Sequence, residues 1–372
     1  MGEKTILDNR GGATRQSNIE LLRILSIVGV FILHYVSPGA GGGLKYVAEG
    51  SLNYYILLTL ESVFVCAVDL FMLISGYFLC TSNRRNLWKI VRLIVQVMLY
   101  SLTGYLANAA RTGDFSISGM IGSMVPANYF VILYSAVFII SPFINLIFEK
   151  ITKRQMRFFV LLLFVLFGIY PTLVDTFSVV TGHSWDSLST IGVLGNQWGY
   201  TVVTFALMYT IGAYLRLGDF EITHWRTSSI VYGILALASA STLWAAVFLF
   251  WRQTSAPARH YCNPLVILLA VFLFVAFSRF KISSRISVGI NGLAKGVFSM
   301  FLLHGWALPR IHIQRFVSGS PMAMIAHIFF SALTVFLICT GIDYIYHWFT
   351  NPFFRWLERK VSLPDINYED YK

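Results

Sequence analysis

Ten long apolar stretches limit what this chain can become. They cover about 18–37, 54–80, 87–106, 128–148, 157–181, 194–215, 229–251, 264–280, 286–308 and 324–348. Each comes close to the roughly 20 apolar residues that a helix needs to cross hydrocarbon. The composition agrees: 56% of residues are hydrophobic, 12% are charged and the mean hydropathy is +0.68. That is too apolar for a soluble globule. Continuous runs of this length read as helices, which satisfy their own backbone in lipid. The expected fold is therefore all-α, a polytopic integral membrane protein of about ten transmembrane helices. No loop is long enough for a separate domain. The expected organisation is a tail over 1–17, a transmembrane domain over 18–348 and a polar tail over 349–372. The first residues are polar and lack an apolar signal region, so the first span is expected to be retained.

Charge predicts the orientation. The net charge of +11 is distributed unevenly. One set of loops, with the two ends, carries Arg84, Arg85, Lys150, Lys153, Arg154, Arg279, Lys281, Arg285, Arg355, Arg359 and Lys360, among others. The opposite loops carry only Lys45, Arg111, Arg252, Arg259, Arg310 and Arg315. The positive-inside rule then places both termini in the cytoplasm and the protein in the cytoplasmic membrane. Topology accounts for the basic excess, so no nucleic-acid partner is expected. Cys66, Cys80, Cys262 and Cys339 lie in or beside apolar segments without paired spacing. Neither a disulfide framework nor a metal site is expected from them, and no bound cofactor. The Gly39–Gly43 stretch reads as a flexible outer loop, because no helix opens directly behind it to make a phosphate cradle.

Ionisable residues inside spans are costly and mark function by default. Arg23 and His34 both sit in the first span. Eleven residues turn a helix through about 1100°, so both side chains share a face, roughly 16 Å apart along the axis. A span-end anchor explains either residue alone less well than a joint role explains the pair. Asp69 lies deep in the second span, where it is expected to pair with Arg23 or to accept hydrogen bonds from a neighbouring helix. Glu61 lies two turns outward of Asp69, near the level of His34, and is a candidate partner for that imidazole. Ser75-Gly76 reads as a close-packing or kink site more readily than as a nucleophile. His304, near the outer end of the ninth span, is placed at a depth similar to His34, so the two could line one cavity. At the cytoplasmic face Arg84, Arg85, Lys89 and Arg92 crowd into nine residues. They are either topology anchors or a clamp for a phosphorylated cytosolic donor.

Four stretches together resemble the membrane acyltransferase family 3, the polysaccharide O-acyltransferases. They are Ile19-Glu20-Leu21-Leu22-Arg23 through His34; Asp69-Leu70-Phe71 with Ser75-Gly76-Tyr77; Lys89-Ile90-Val91-Arg92; and Phe301-Leu302-Leu303-His304. Ser141-Pro142-Phe143-Ile144-Asn145 is similar to the family as well. The likeness runs in order along nearly the whole chain. It departs at Lys89, where the family has arginine, at Val95, in a region where a proline is common, and at Asn128-Tyr129-Phe130, where tryptophan is common. The resemblance implies an acyl-CoA donor, most often acetyl-CoA, and a carbohydrate acceptor at or beyond the outer surface. It implies His34 as the catalytic histidine and Arg23 as its companion. His34 would act either as general base on an acceptor hydroxyl or as a covalent acyl carrier. Asp69, Glu61 or His304 would orient the ring. Candidate partners are therefore acyl-CoA, a carbohydrate and the bilayer, with a second copy or polysaccharide-assembly proteins as further ones. A multi-helix transporter or lipid-linked glycan flippase is the main rival, since it too would use intramembrane charges. A glycan polymerase lacks the sizeable loop it would need, and a bare scaffold leaves the buried ionisable groups unexplained.

Overall fold

The computed structural model describes residues 16–188 and 197–367. We number the spans α1 (Ser17–Val36), α2 (Leu52–Leu79), α3 (Trp88–Thr112), α4 (Tyr129–Lys150), α5 (Lys153–Thr181), α6 (Val202–Leu217), α7 (Thr227–Arg252), α8 (Ala256–Ser278), α9 (Ser284–Arg310) and α10 (Pro321–Lys360). Among the described residues, all but α6 are long and apolar enough to cross a membrane. The chain is an all-α multi-pass membrane protein. Several helices begin where the sequence supplies a cap. The Asn128 side chain accepts from Val131 N–H, Thr152 and Gln155 form a capping box, and Ser320 accepts from Ala323 N–H. Each satisfies backbone donors that a helix start leaves orphaned.

The sixth expected span, 194–215, begins among residues outside those described, and its helix is α6. At 16 residues it reaches about 24 Å, short of the ~30 Å hydrocarbon core. It needs no lipid, because protein covers it: nearly every residue from Thr204 to Leu215 is buried. Its main neighbour is the second half of α2, Ala67–Leu79. A Cβ on Gly76 would lie 2.0 Å from the Tyr209 carbonyl oxygen, and one on Gly212 would lie 2.1 Å from that of Leu73. Two glycines, one per helix, thus let the backbones touch. The sequence reading of Ser75-Gly76 as a packing site is realised at Gly76.

The last helix is longer than its apolar run. Residues 349–360, expected as the start of a polar tail, continue α10 through Pro352 to Lys360. Hydropathy ends at the membrane, but helical hydrogen bonding does not. Beyond it a two-stranded ladder joins β1 (Arg84–Asn86) to β2 (Asp365–Asn367).

Contacts tie the basic loops to one face. Arg84 meets Asp365, the Asn83 amide donates to Glu149 and Arg157 meets Glu221. Arg279 donates to the carbonyls of Ile222 and Thr223, and Asn18 donates to those of Phe277 and Ser278. On the opposite face Asn53 donates to the Val317 and Gly319 carbonyls, and Arg252 donates to Val180. The alternation read from charge is the alternation of the fold. The Gly39–Gly43 stretch is less free than a flexible loop. Gly41 N–H donates to the His34 carbonyl at 2.7 Å, so the segment folds back over the end of α1.

Candidate active site

α1 and α9 bring two histidines into contact. The rings of His34 and His304 lie 4.7 Å apart, tilted by 58°. His304 is buried and its Nδ1 is 3.0 Å from the Met300 carbonyl oxygen. A carbonyl only accepts, so Nδ1 carries the hydrogen and the neutral ring keeps its lone pair on Nε2. Among the described residues His34 makes no side-chain hydrogen bond, and its ring opens into a cavity of about 450 Å³. Glu61, Arg259, His260, Tyr129 and Tyr200 line that cavity too.

A second cavity, of about 240 Å³, lies toward the basic face. Arg23, Lys295, Ser75, Tyr134, Phe130 and Phe301 line it. Phe301 also lies 6.4 Å from the His304 ring and 5.0 Å from the Phe130 ring. An unbroken run of aromatic contacts therefore joins the inner cavity to the histidine pair. The same helices serve both spaces. Arg23 and His34 on α1, Phe71 and Val68 on α2, and Phe130 and Tyr129 on α4 each divide between inner and outer.

Several expected pairings are replaced by others. Arg23 does not pair with Asp69; the carboxylate it meets is Glu20, at 3.6 Å and one turn back on its own helix. Asp69 is buried, and neither of its oxygens has a hydrogen-bond partner. It occupies the first turn of the helical segment Ala67–Leu79, directly after the first half of α2. Glu61 reaches the cavity of His34, but its ion pair is with Arg259, at 2.7 Å. Ser75 donates to the Phe71 carbonyl at 2.8 Å, a helix-internal bond that leaves it no base.

The four cations of the proposed clamp are not equivalent. Arg85 is 1% exposed, and its donors go to Ser141 Oγ and to the carbonyls of Leu79, Ser82 and Arg84. Asn145 donates to the same Leu79 and Ser82 carbonyls and accepts from the Tyr209 hydroxyl. The Ser141–Asn145 fragment is thus the socket that holds Arg85 and the end of α2. Arg84 is taken by Asp365 at 2.5 Å. Arg92 is taken by Glu358 at 2.6 Å and Asn351 at 3.2 Å, over the Phe354 ring. Lys89 is exposed and makes no ion pair among the described residues. It lies one turn from Leu93, which lines the inner cavity.

Sequence reasoning missed Lys295, Arg259 and His260. Arg259 reads from the sequence only as a loop cation, and nothing beside Lys295 or His260 in the chain reveals the cavity that each lines. His260 Nδ1 lies 2.8 Å from Asp175 Oδ2. Cys262 joins them in a group whose ligand atoms lie within 4.8 Å of one another. Those three could hold a metal ion, although 2.8 Å is the spacing of a hydrogen bond.

These features belong to a multi-pass membrane protein with two helix-lined cavities. The family model of the acyltransferase 3 family, described as an acyltransferase domain, matches residues 16–344. The chain belongs to that family and is a membrane enzyme that transfers acyl groups. No curated protein and no solved structure matches the chain.

Proposed function

We propose that the protein is an O-acyltransferase of the cytoplasmic membrane, moving an acyl group, most simply acetyl, from cytosolic acyl-CoA to a hydroxyl of an exported or cell-surface carbohydrate. The observation that carries this reading is the His34–His304 pair between two cavities of different chemistry. The inner one offers Arg23 and Lys295 above aromatic walls, suited to an anionic head with an apolar arm. The outer one offers paired charges and tyrosines, suited to a polar ring.

In this mechanism both termini lie in the cytoplasm and the donor enters from the basic face. Lys89, Arg23 and Lys295 meet its phosphates. Arg85 is excluded from that role because its guanidinium is buried in the scaffold, and Arg92 is committed to Glu358 and Asn351, whereas Arg84, 75% exposed beside Asp365, stays open at the rim. The thioester carbonyl passes Phe130 and Phe301 to reach His34. The acceptor hydroxyl gives its proton to neutral His34 as its oxygen attacks the carbonyl carbon. The carbon–sulfur bond then breaks, and the departing thiolate takes the proton from the imidazolium. His304, held by the Met300 carbonyl, fixes the neighbouring ring plane.

Purified full-length protein in liposomes, given labelled acetyl-CoA and glycan extracted from the cell envelope, tests the reading. Thiol release coupled to a glycan mass gain of one acetyl group is expected. Glycan movement across the bilayer without thiol release would overturn it in favour of a transporter.

A further inference from the structure

The outer cavity has a polar inventory that the acyl-transfer reading leaves unused. Three of its lining side chains each carry one buried polar atom without a hydrogen-bond partner: Glu61 Oε2, Arg259 Nε and His260 Nε2. Such atoms are costly to leave unmet in a folded protein. Two are acceptors and one is a donor, when His260 is neutral. The tautomer is set, because Asp175 Oδ2 accepts from His260 Nδ1 at 2.8 Å, leaving the Nε2 lone pair free. A hydroxyl both donates and accepts, so adjacent hydroxyls on one ring could satisfy all three atoms.

The charges of the cavity cancel locally. Arg259 is its one lysine or arginine among the described lining residues, and it is ion-paired to Glu61 at 2.7 Å. An anionic ligand would lose its water and find no uncompensated cation, with the Glu61 carboxylate facing it. The same cavity has an aromatic wall. Tyr200 packs edge-on against Tyr129 at 4.8 Å and Tyr261 at 4.6 Å. Trp198 completes the wall from a left-handed backbone conformation, φ 56°, which a non-glycine residue adopts only when its surroundings hold it there. Apolar walls with a few convergent polar groups are what small-molecule sites are made of.

We propose that this cavity is a recognition site for a neutral sugar ring, in which Glu61, Arg259 and the Asp175-held His260 bind the ring hydroxyls and exclude acidic sugars. The assignment rests on the carbohydrate-acceptor reading above. Glu61 is the specificity-determining group, and His260 is a positioning residue that turns the acceptor hydroxyl toward His34.

Purified full-length protein with acetyl-CoA and matched pairs of methyl glycosides decides it: glucoside against glucuronide, galactoside against galacturonide. Wild type is expected to favour the neutral member by tenfold or more in kcat/KM, the order of one hydrogen bond to a charged group. Glu61→Gln strips the compensating charge from Arg259, and the preference is expected to collapse or invert. His260→Gln is expected to raise the KM for the neutral glycoside about tenfold while kcat moves less, with the KM for acetyl-CoA within twofold of wild type. Equal use of both members by wild type, or an unaltered ratio in Glu61→Gln, overturns the inference. If Glu61→Gln does not accumulate, the wild-type ratio and His260→Gln decide. One equivalent of zinc in the purified protein, lost in Cys262→Ala, also overturns it by assigning His260 to a metal. Acetyl-CoA left intact with every glycoside would instead overturn the acyltransfer reading itself.

Discussion

His34 and Arg85 show how differently two ionisable residues can use the same apolar surroundings. His34 has no hydrogen-bond partner among the described residues and faces a cavity, so its ring is available to a substrate. Arg85 spends its donors on five protein groups and is part of the scaffold. Depth in a span marked His34 as functional, and clustering at the cytoplasmic face marked Arg85 as a topology anchor or part of a donor clamp. Only the count of satisfied donors separates them. For His34→Ala, acyl transfer is expected to fall by roughly 10²–10⁴-fold, the usual worth of a general base. Membrane insertion and the melting temperature should stay near wild type, since the ring makes no hydrogen bond. Wild-type transfer rates in a normally inserted His34→Ala protein would remove the catalytic role.

At the scale of helices, α2 and α6 pack backbone against backbone. The sequence marked Gly76 by its neighbour Ser75, but nothing local marked Gly212 as its counterpart. Each glycine opens a gap for the other helix's carbonyl, at 2.0 and 2.1 Å from where a Cβ would stand. Gly76→Ala must push α6 away along with Tyr209, whose hydroxyl donates to Asn145 in the socket of Arg85. Overpacking of this kind costs about 1–3 kcal/mol or more. A lower melting temperature in detergent is expected, with Gly289→Ala as a control, because a Cβ there meets open space. Equal melting temperatures for the two variants would show that the α2–α6 contact is softer than its geometry implies. α10 teaches a related lesson. Its apolar run ends near residue 348, yet the helix continues to Lys360 and there supplies Glu358 to Arg92.

For the whole molecule, the two cavities give direction to the chemistry. The inner one takes its cations, Arg23 and Lys295, from helices distant in sequence. Lys295 is exposed, so its contribution to an anionic donor is screened and modest. Lys295→Gln is expected to raise the KM for acetyl-CoA about two- to fivefold and to leave the KM of the acceptor where it was. A matching rise in the acceptor KM would place Lys295 outside the donor path.

The order of the spans, the sharing of faces by alternate loops, and the matching depth of His34 and His304 were all legible along the chain. Hydropathy, loop charge and helical phase are local sums that depend on little beyond a residue's own stretch. The partners of the ionisable groups were not legible. Glu61 with Arg259, Arg92 with Glu358 and the socket around Arg85 follow from how segments far apart in sequence come together, while Arg23 meets Glu20 on its own helix because packing does not bring Asp69 to it. In a low-dielectric interior packing decides which buried ionisable group meets a partner, as Glu61 does, and which, like Asp69, has no hydrogen-bond partner. That packing, which no single segment encodes, decided which polar groups remain open to a substrate.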